Sequence, residues 1–200
     1  MVHCLGVPMG VLAAFWLLYH AASRGGLPLV SSIAIYAVGL VGMLVASAFY
    51  QITAPGRRKE LLRRIDRAMI FVMIAGTYTP ISVNVLYGRG GITLCLILWI
   101  MAAIGVFLTL RFPRRFERVS FGLYMAMGWM LVVLMHYCLV LLSPLVIALI
   151  VTGGLAYTIG AIIHALERFK FHNPVWHLLV LIAASLQYAA ISLQLTGGLF

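Results

Sequence analysis

The sequence predicts an all-α integral membrane protein: a bundle of seven transmembrane helices, N-terminus in the cytoplasm and C-terminus outside. Three observations predict it. Hydrophobic residues make up 64% of the 200 residues and charged residues only 9%, whereas a soluble domain carries roughly 25% charge. There is too little polar surface to face water on all sides. The apolar residues run in stretches of about 20, the length at which a helix crosses the hydrocarbon core. The basic residues gather in alternate gaps between those stretches, which is the topology signal of helices that cross a bilayer.

The first span, Cys4 to Ala22, has no basic leader and no cleavage site, so it is expected as a retained helix and not a signal peptide. Ser23-Arg24-Gly25-Gly26 separates it from the second, Leu29 to Tyr50. The long gap Ile52 to Arg67 follows, and its Lys59–Arg67 portion, KELLRRIDR, has helical character. That segment is read as an interfacial helix or an inward extension of the third helix, a topology anchor whose basic side chains meet anionic headgroups. The third span is Ala68 to Leu86, and the glycine-rich turn Tyr87 to Gly91 leads to the fourth, Ile92 to Leu110. After Arg111 to Ser120 come the fifth, Phe121 to Leu139, and the sixth, Leu145 to Leu166. Only Leu142-Ser143-Pro144 divides these two. Phe121 to Leu166 is too long for a single crossing, and Pro144 suits the first turn of a helix. Glu167 to Pro174 leads to the seventh span, Val175 to Leu195. Residues 1–200 read as one membrane domain.

Charge sets the orientation. Of the fourteen Lys and Arg, only Arg24 and Arg89 fall on one side. Arg57, Arg58, Lys59, Arg63, Arg64, Arg67, Arg111, Arg114, Arg115, Arg118, Arg168 and Lys170 fall on the other, which the positive-inside rule makes cytoplasmic. This placement also argues against nucleic acid as the partner of a chain of net charge +10, because the bases form no single face or stripe. Cys4, Cys95 and Cys138 sit in or beside apolar runs and read as buried thiols. There is no nucleotide loop, no GxSxG and no HExxH. Gly122, Gly128, Gly153, Gly154 and Gly160 lie within apolar runs and read as helix-packing positions. No two-half repeat of the transporter kind is evident.

Polar groups at membrane depth need partners, so they hold the functional information. His3, Ser47, Gln51, Asp66, His164, His172, Asn173 and His177 fall at or near cytoplasmic helix ends, and His20 and His136 near outer ends. Ser47 is one turn before Gln51, so both can face one interior seam. Gln187 lies about 15 Å deeper than His177 along the seventh helix, near mid-bilayer, where its amide should face the bundle interior. Asp66 can bind a metal, act as acid or base, cap its helix, or pair with Arg63, Arg64 or Arg67. His177 alone is more often satisfied by a carbonyl or headgroup than by a metal.

Arg64-Ile65-Asp66 followed by Ile74-Ala75-Gly76-Thr77-Tyr78-Thr79-Pro80 resembles the "LDH … IAGTYTP" block of bacterial haemolysin III-type proteins. That family sits in the larger superfamily that includes the progestin and adiponectin receptors. His3-x-x-Gly6, Ser47-x-x-Tyr50, Ala126-Met127-Gly128-Trp129, Gly153-Gly154-x-x-Tyr157-x-x-Gly160 and Trp176-His177 extend the resemblance over almost the full length. It implies a seven-helix bundle with the N-terminus inside, in a bacterial plasma membrane. It also implies a metal site, usually zinc, at the cytoplasmic ends of the second, third and seventh helices. The related receptors and alkaline ceramidases suggest metal-activated water attacking a lipid amide.

The departures fall on that chemistry. Where the family pattern places histidines, this chain has Gln51 in the second helix, Arg67 after Asp66, Asn173 ahead of His177, and Gln187 further on. The remaining metal-ligand inventory is His177, Asp66, His3 and His172, with Asp66 and Ser47 as the residues to position or activate water. His172 and His177 are five apart, about 140° around a regular helix, and converge only if Pro174 starts the helix and leaves His172 on a loop. Gln and Asn are poor zinc ligands beside imidazole. A hydrogen-bonded network of Ser47, Gln51, Asp66, Asn173 and His177 would preserve the polarity of such a site without metal.

Two functions stay open, and with them whether the chain is an enzyme. The expectation favoured by the thin ligand set is a lipid-interacting membrane or regulatory protein with a degraded metal-hydrolase site. The alternative is a zinc-dependent hydrolase of lipid amides using the reduced set. Cytolysis, implied by the family name, is a minor third, since the chain reads as wholly embedded. The expected partners are membrane lipids and anionic headgroups at the cytoplasmic face; the sequence does not specify an oligomeric state.

Overall fold

A computed structural model describes residues 2–112, 115–166 and 172–197, the side chains of residues 2–5 and 172–173 excepted. Among the described residues, seven helices are long and apolar enough to cross a membrane: Gly6–Arg24, Leu27–Ile52, Arg57–Val85, Gly91–Arg111, Glu117–Leu141, Pro144–Leu166 and Pro174–Thr196. The chain is all-α, built from α1 (Val2–Arg24), α2 (Leu27–Ile52), α3 (Arg57–Pro80), α4 (Gly91–Arg111), α5 (Glu117–Gly128), α6 (Met135–Leu141), α7 (Pro144–Leu166) and α8 (His172–Thr196). Large apolar side chains such as Phe15, Leu96, Val133 and Val140 point outward, as they must where lipid and not water is the solvent.

The third span starts at Arg57, well before Ala68, so the basic KELLRRIDR segment is the inward extension of the third helix. Local pairing explains the extension. Glu60 meets Arg63 at 2.7 Å and Arg64 at 3.7 Å, three and four residues on, the spacings that bring side chains together on a helix. At its other end α3 runs into Pro80, and residues Ile81–Val85 form a π-helical turn in which the Leu86 N–H donates to the Ile81 carbonyl at 3.0 Å. A proline offers no N–H to the ladder, and widening by one residue re-satisfies the carbonyls around it. Gly88 and Gly90 close the following turn at φ +73° and +87°, where a Cβ would be strained.

The expected fifth helix, Phe121 to Leu139, is not continuous. It divides into α5, a 3₁₀ segment at Met130–Leu134, and α6. The break is held from α3: the Tyr78 hydroxyl donates to the Gly128 carbonyl at 2.6 Å and accepts the Leu131 N–H at 3.3 Å. Backbone groups freed inside a bilayer require such partners. Pro144 opens α7, as its position suggests.

Two cores fill the bundle. One, around Leu17, Ile33, Tyr36, Leu44 and Ile191, joins α1, α2 and α8. The other, around Phe71, Leu86, Leu98 and Met127, joins α3, α4 and α5. The helices α2 and α3 cross closely, since a Cβ at Gly39 or Gly76 would meet the facing backbone at 3.5 or 3.4 Å. Arg24 ties α1 to the end of α8, donating to the carbonyls of Leu195 at 3.1 Å and Thr196 at 2.8 Å. Cationic donors suit a helix C-terminus. Among the described residues, extensive contact joins α7 to α8, while α6 meets α7 only lightly and α5 and α7 share little direct contact. A hydrogen bond from Trp129 Nε1 to Thr158 Oγ1, 3.1 Å long, spans that gap.

Candidate functional site

The last turns of α2, the early turns of α3 and the start of α8 converge at the arginine-rich end of the bundle. Ser47 and His177 are buried there, 3% and 6% exposed. His177 Nδ1 lies 3.4 Å from Ser47 Oγ, and Gln51 Nε2 donates to the same oxygen at 3.5 Å, the outer limit of a hydrogen bond. The Asp66 carboxylate lies beside the Ser47 hydroxyl, which favours its ionised form. A serine hydroxyl has one proton to give and two lone pairs. If it donates to Asp66, it accepts from Gln51 and from His177 Nδ1–H, and all three contacts are satisfied together. Ser47 is therefore the hub that joins Gln51, Asp66 and His177.

The described donors do not fit zinc. Among the described residues, no three of His, Cys, Asp or Glu come close enough to hold a metal ion, and zinc takes three or four such ligands. His177 and Asp66 are the two that Ser47 joins; Gln51 offers a neutral amide. The side chains of His3, His172 and Asn173 lie outside the described residues, although the backbone of each lies within a helix. Helix α8 begins at His172, so the loop placement under which His172 and His177 converge is not what the backbone adopts. His164 stacks on Trp176, ring centroids 5.6 Å apart and planes at 27°. His20 packs on Trp16 and His136 on Tyr137, at the far end.

Gln187 is buried but belongs elsewhere. Its amide donates to the Ile150 carbonyl at 3.2 Å, tying α8 to α7, and a Cβ at Gly153 would sit 3.0 Å from that nitrogen. Arg67 does not pair with Asp66. It donates to Glu117, which also takes Arg63 at 3.3 Å.

The polar cluster floors a cavity of about 420 Å³, lined by Asp66 and His177, by the arginines 63, 64, 67 and 118, and by an aromatic wall that includes Phe112, Phe116, Phe121 and Tyr124. A narrower slot of about 70 Å³ lies deeper, lined by Met43, Met73, Met125, Gly154, Tyr157 and Gln187 among others. Ile70, Tyr124 and Trp176 border both, so the charged cavity and the apolar slot are neighbours, the slot lying between residues of α5 and α7. Sequence reasoning did not single out Glu117 as a site residue, nor the aromatic wall. The available signal was scarcity: with only four Asp and Glu in the chain, each acid beside an arginine cluster is a candidate. Asp66 is not the first acid of the third helix, since Glu60 stands in the first turn of α3.

A family model described as "Haemolysin-III related" matches residues 1–188. The chain is 31% identical to the "Hemolysin-3 homolog" of Bacillus subtilis (strain 168) over 179 residues, covering 90% of this chain and 84% of that protein. It is 29% identical to "Hemolysin-3" of Bacillus cereus over 189 residues, 94% and 86% of the two. The human "Monocyte to macrophage differentiation factor" is 27% identical over 179 residues, 78% of this chain and 67% of that protein. No solved structure matches significantly.

Proposed function

The chain belongs to the haemolysin III-related family, and on that premise we propose that it is a lipid-interacting protein whose bundle receives an amphiphile. Its bacterial relatives and seven long apolar helices make it a multi-pass protein of the bacterial plasma membrane. The arginine-rich end faces the cytoplasm, by the positive-inside rule, which leaves the N-terminus inside and the C-terminus outside. Inner-leaflet lipid then lies level with the cavity mouth.

One observation carries the proposal: the charged cavity and the apolar slot share Ile70, Tyr124 and Trp176. A polar headgroup suits the charged cavity and a short apolar segment suits the slot, the division of chemistry expected of a site for an amphiphile. The Ser47 cluster is read as a polar floor and not as a zinc centre, because its described members offer one imidazole and one carboxylate where zinc takes three or four ligands. Zinc-dependent hydrolysis of a lipid amide requires ligands beyond the described set. Cytolysis rests on the printed name of the Bacillus cereus relative and on no observation of this chain.

The test fills the slot. Gly154 lines it, and a Cβ there meets nothing within 4 Å, so Gly154→Phe should fold while occupying the crevice. Lipid retained by the purified chain, identified by mass spectrometry, is expected to fall several-fold in this variant. Undiminished retention by a folded Gly154→Phe protein would count against the site.

A further inference from the structure

We propose that the arginine-lined cavity binds the anionic phosphate headgroup of an inner-leaflet lipid, and that Glu117 is the internal anion holding its arginines when no such headgroup is present. This rests on the lipid-binding reading above and names the headgroup class. Among the described residues, four arginines, Arg63, Arg64, Arg67 and Arg118, line the cavity against two carboxylates, Asp66 and Glu117, with Glu60 behind them paired to Arg63 and Arg64. The excess is positive, in a pocket whose other walls are largely aromatic.

The geometry at Glu117 is that of a stand-in. Arg63 Nη1 and Arg67 Nη1 both point at one carboxylate oxygen, Oε1. Arginine binds best through parallel, bidentate contacts; Arg63 makes that fork with Glu60 through Nε and Nη2, so Glu117 takes only the remaining Nη1 of Arg63 and one donor of Arg67. A phosphate group offers several oxygens in a tetrahedral spread and can serve both arginines at once. The pairs are also displaceable. The side chain of Glu117 is 46% exposed and that of Arg67 36%, and ion pairs open to solvent are weak. Arg63, 17% exposed, keeps Glu60 as a second partner at 2.7 Å, so losing Glu117 would not strand it. The slot for an apolar segment of the same lipid lies next to this cavity, across Tyr124 and Trp176.

The experiment titrates the full chain, in phosphatidylcholine nanodiscs, with phosphatidate brominated on its acyl chain, reading quenching of tryptophan fluorescence; Trp176 borders both cavity and slot. Removing the competitor in Glu117→Gln should tighten half-saturation about fivefold, and removing its partners in the double variant Arg63→Gln, Arg67→Gln should weaken it about tenfold. Opposite signs from the two sides of one ion pair are the signature, because a purely structural pair would move both variants the same way. An unchanged or weakened Glu117→Gln protein overturns the proposal. So does displacement of phosphatidate by millimolar inorganic phosphate, which would make the ligand a soluble anion. Equal or tighter binding of a brominated fatty acid would also overturn the phosphate assignment. Quenching that ignores all three residues refutes the headgroup inference while leaving the lipid site standing; no quenching by any brominated lipid refutes the lipid site itself.

Discussion

Ser47 shows how one small side chain can decide what a site does. It contacts His177 and Gln51 and lies beside Asp66, so one hydroxyl ties three elements together. Substituting Gln51→His adds an imidazole to the carboxylate and imidazole already present, reaching the ligand number zinc requires. The expected outcome is that Gln51→His acquires about one zinc per chain in elemental mass spectrometry while the parent chain carries none; metal in both would contradict the hydrogen-bonded cluster. These four residues were legible in the sequence because hydropathy sets depth, and all four fall toward the arginine-rich side of the bundle. Glu117 was not. Its pairing with Arg63 and Arg67 spans about fifty positions, and nothing in local pattern announces which helix α5 will face.

At the scale of elements, the fifth span is the instructive case. Its length and apolarity marked it as a crossing, but hydropathy does not register hydrogen-bond pattern, so the division at Gly128 was invisible. The cause sits in another helix, where Tyr78 satisfies both sides of the break. The motif IAGTYTP and the motif AMGW are thus two halves of one contact. Tyr78→Phe removes the acceptor of the Leu131 N–H and the donor to Gly128, at a cost of roughly 1–3 kcal/mol where such groups lack water. Amide exchange across Met130–Leu134 should quicken in that variant relative to α4; unchanged protection would mean the 3₁₀ segment stands without α3. The inward extension of the third helix was legible as one of two alternatives, and the Glu60 pairs with Arg63 and Arg64 decide it.

For the whole molecule, the number of spans and the turns between them follow from the length of hydrocarbon to be crossed, which is why the bundle was readable before any packing was known. Which helices touch was not readable, because lipid-facing and protein-facing apolar residues look alike in composition. The gap between α5 and α7, on which the lipid site depends, is a property of packing alone. Orientation remains a consequence of charge, and it predicts an outcome in intact cells. A cysteine at Tyr87, 70% exposed at the far end, should react with an impermeant thiol reagent in a cysteine-free background, and one at Arg58 should react only after lysis; the reverse pattern would invert the topology. The most direct measurement of the central claim is a native mass spectrum of the full chain released gently from bacterial membrane. A bound amphiphile on the chain, with no metal adduct, is the expected result. A bare chain, or one whose extra mass is a metal ion alone, would contradict a lipid-binding bundle.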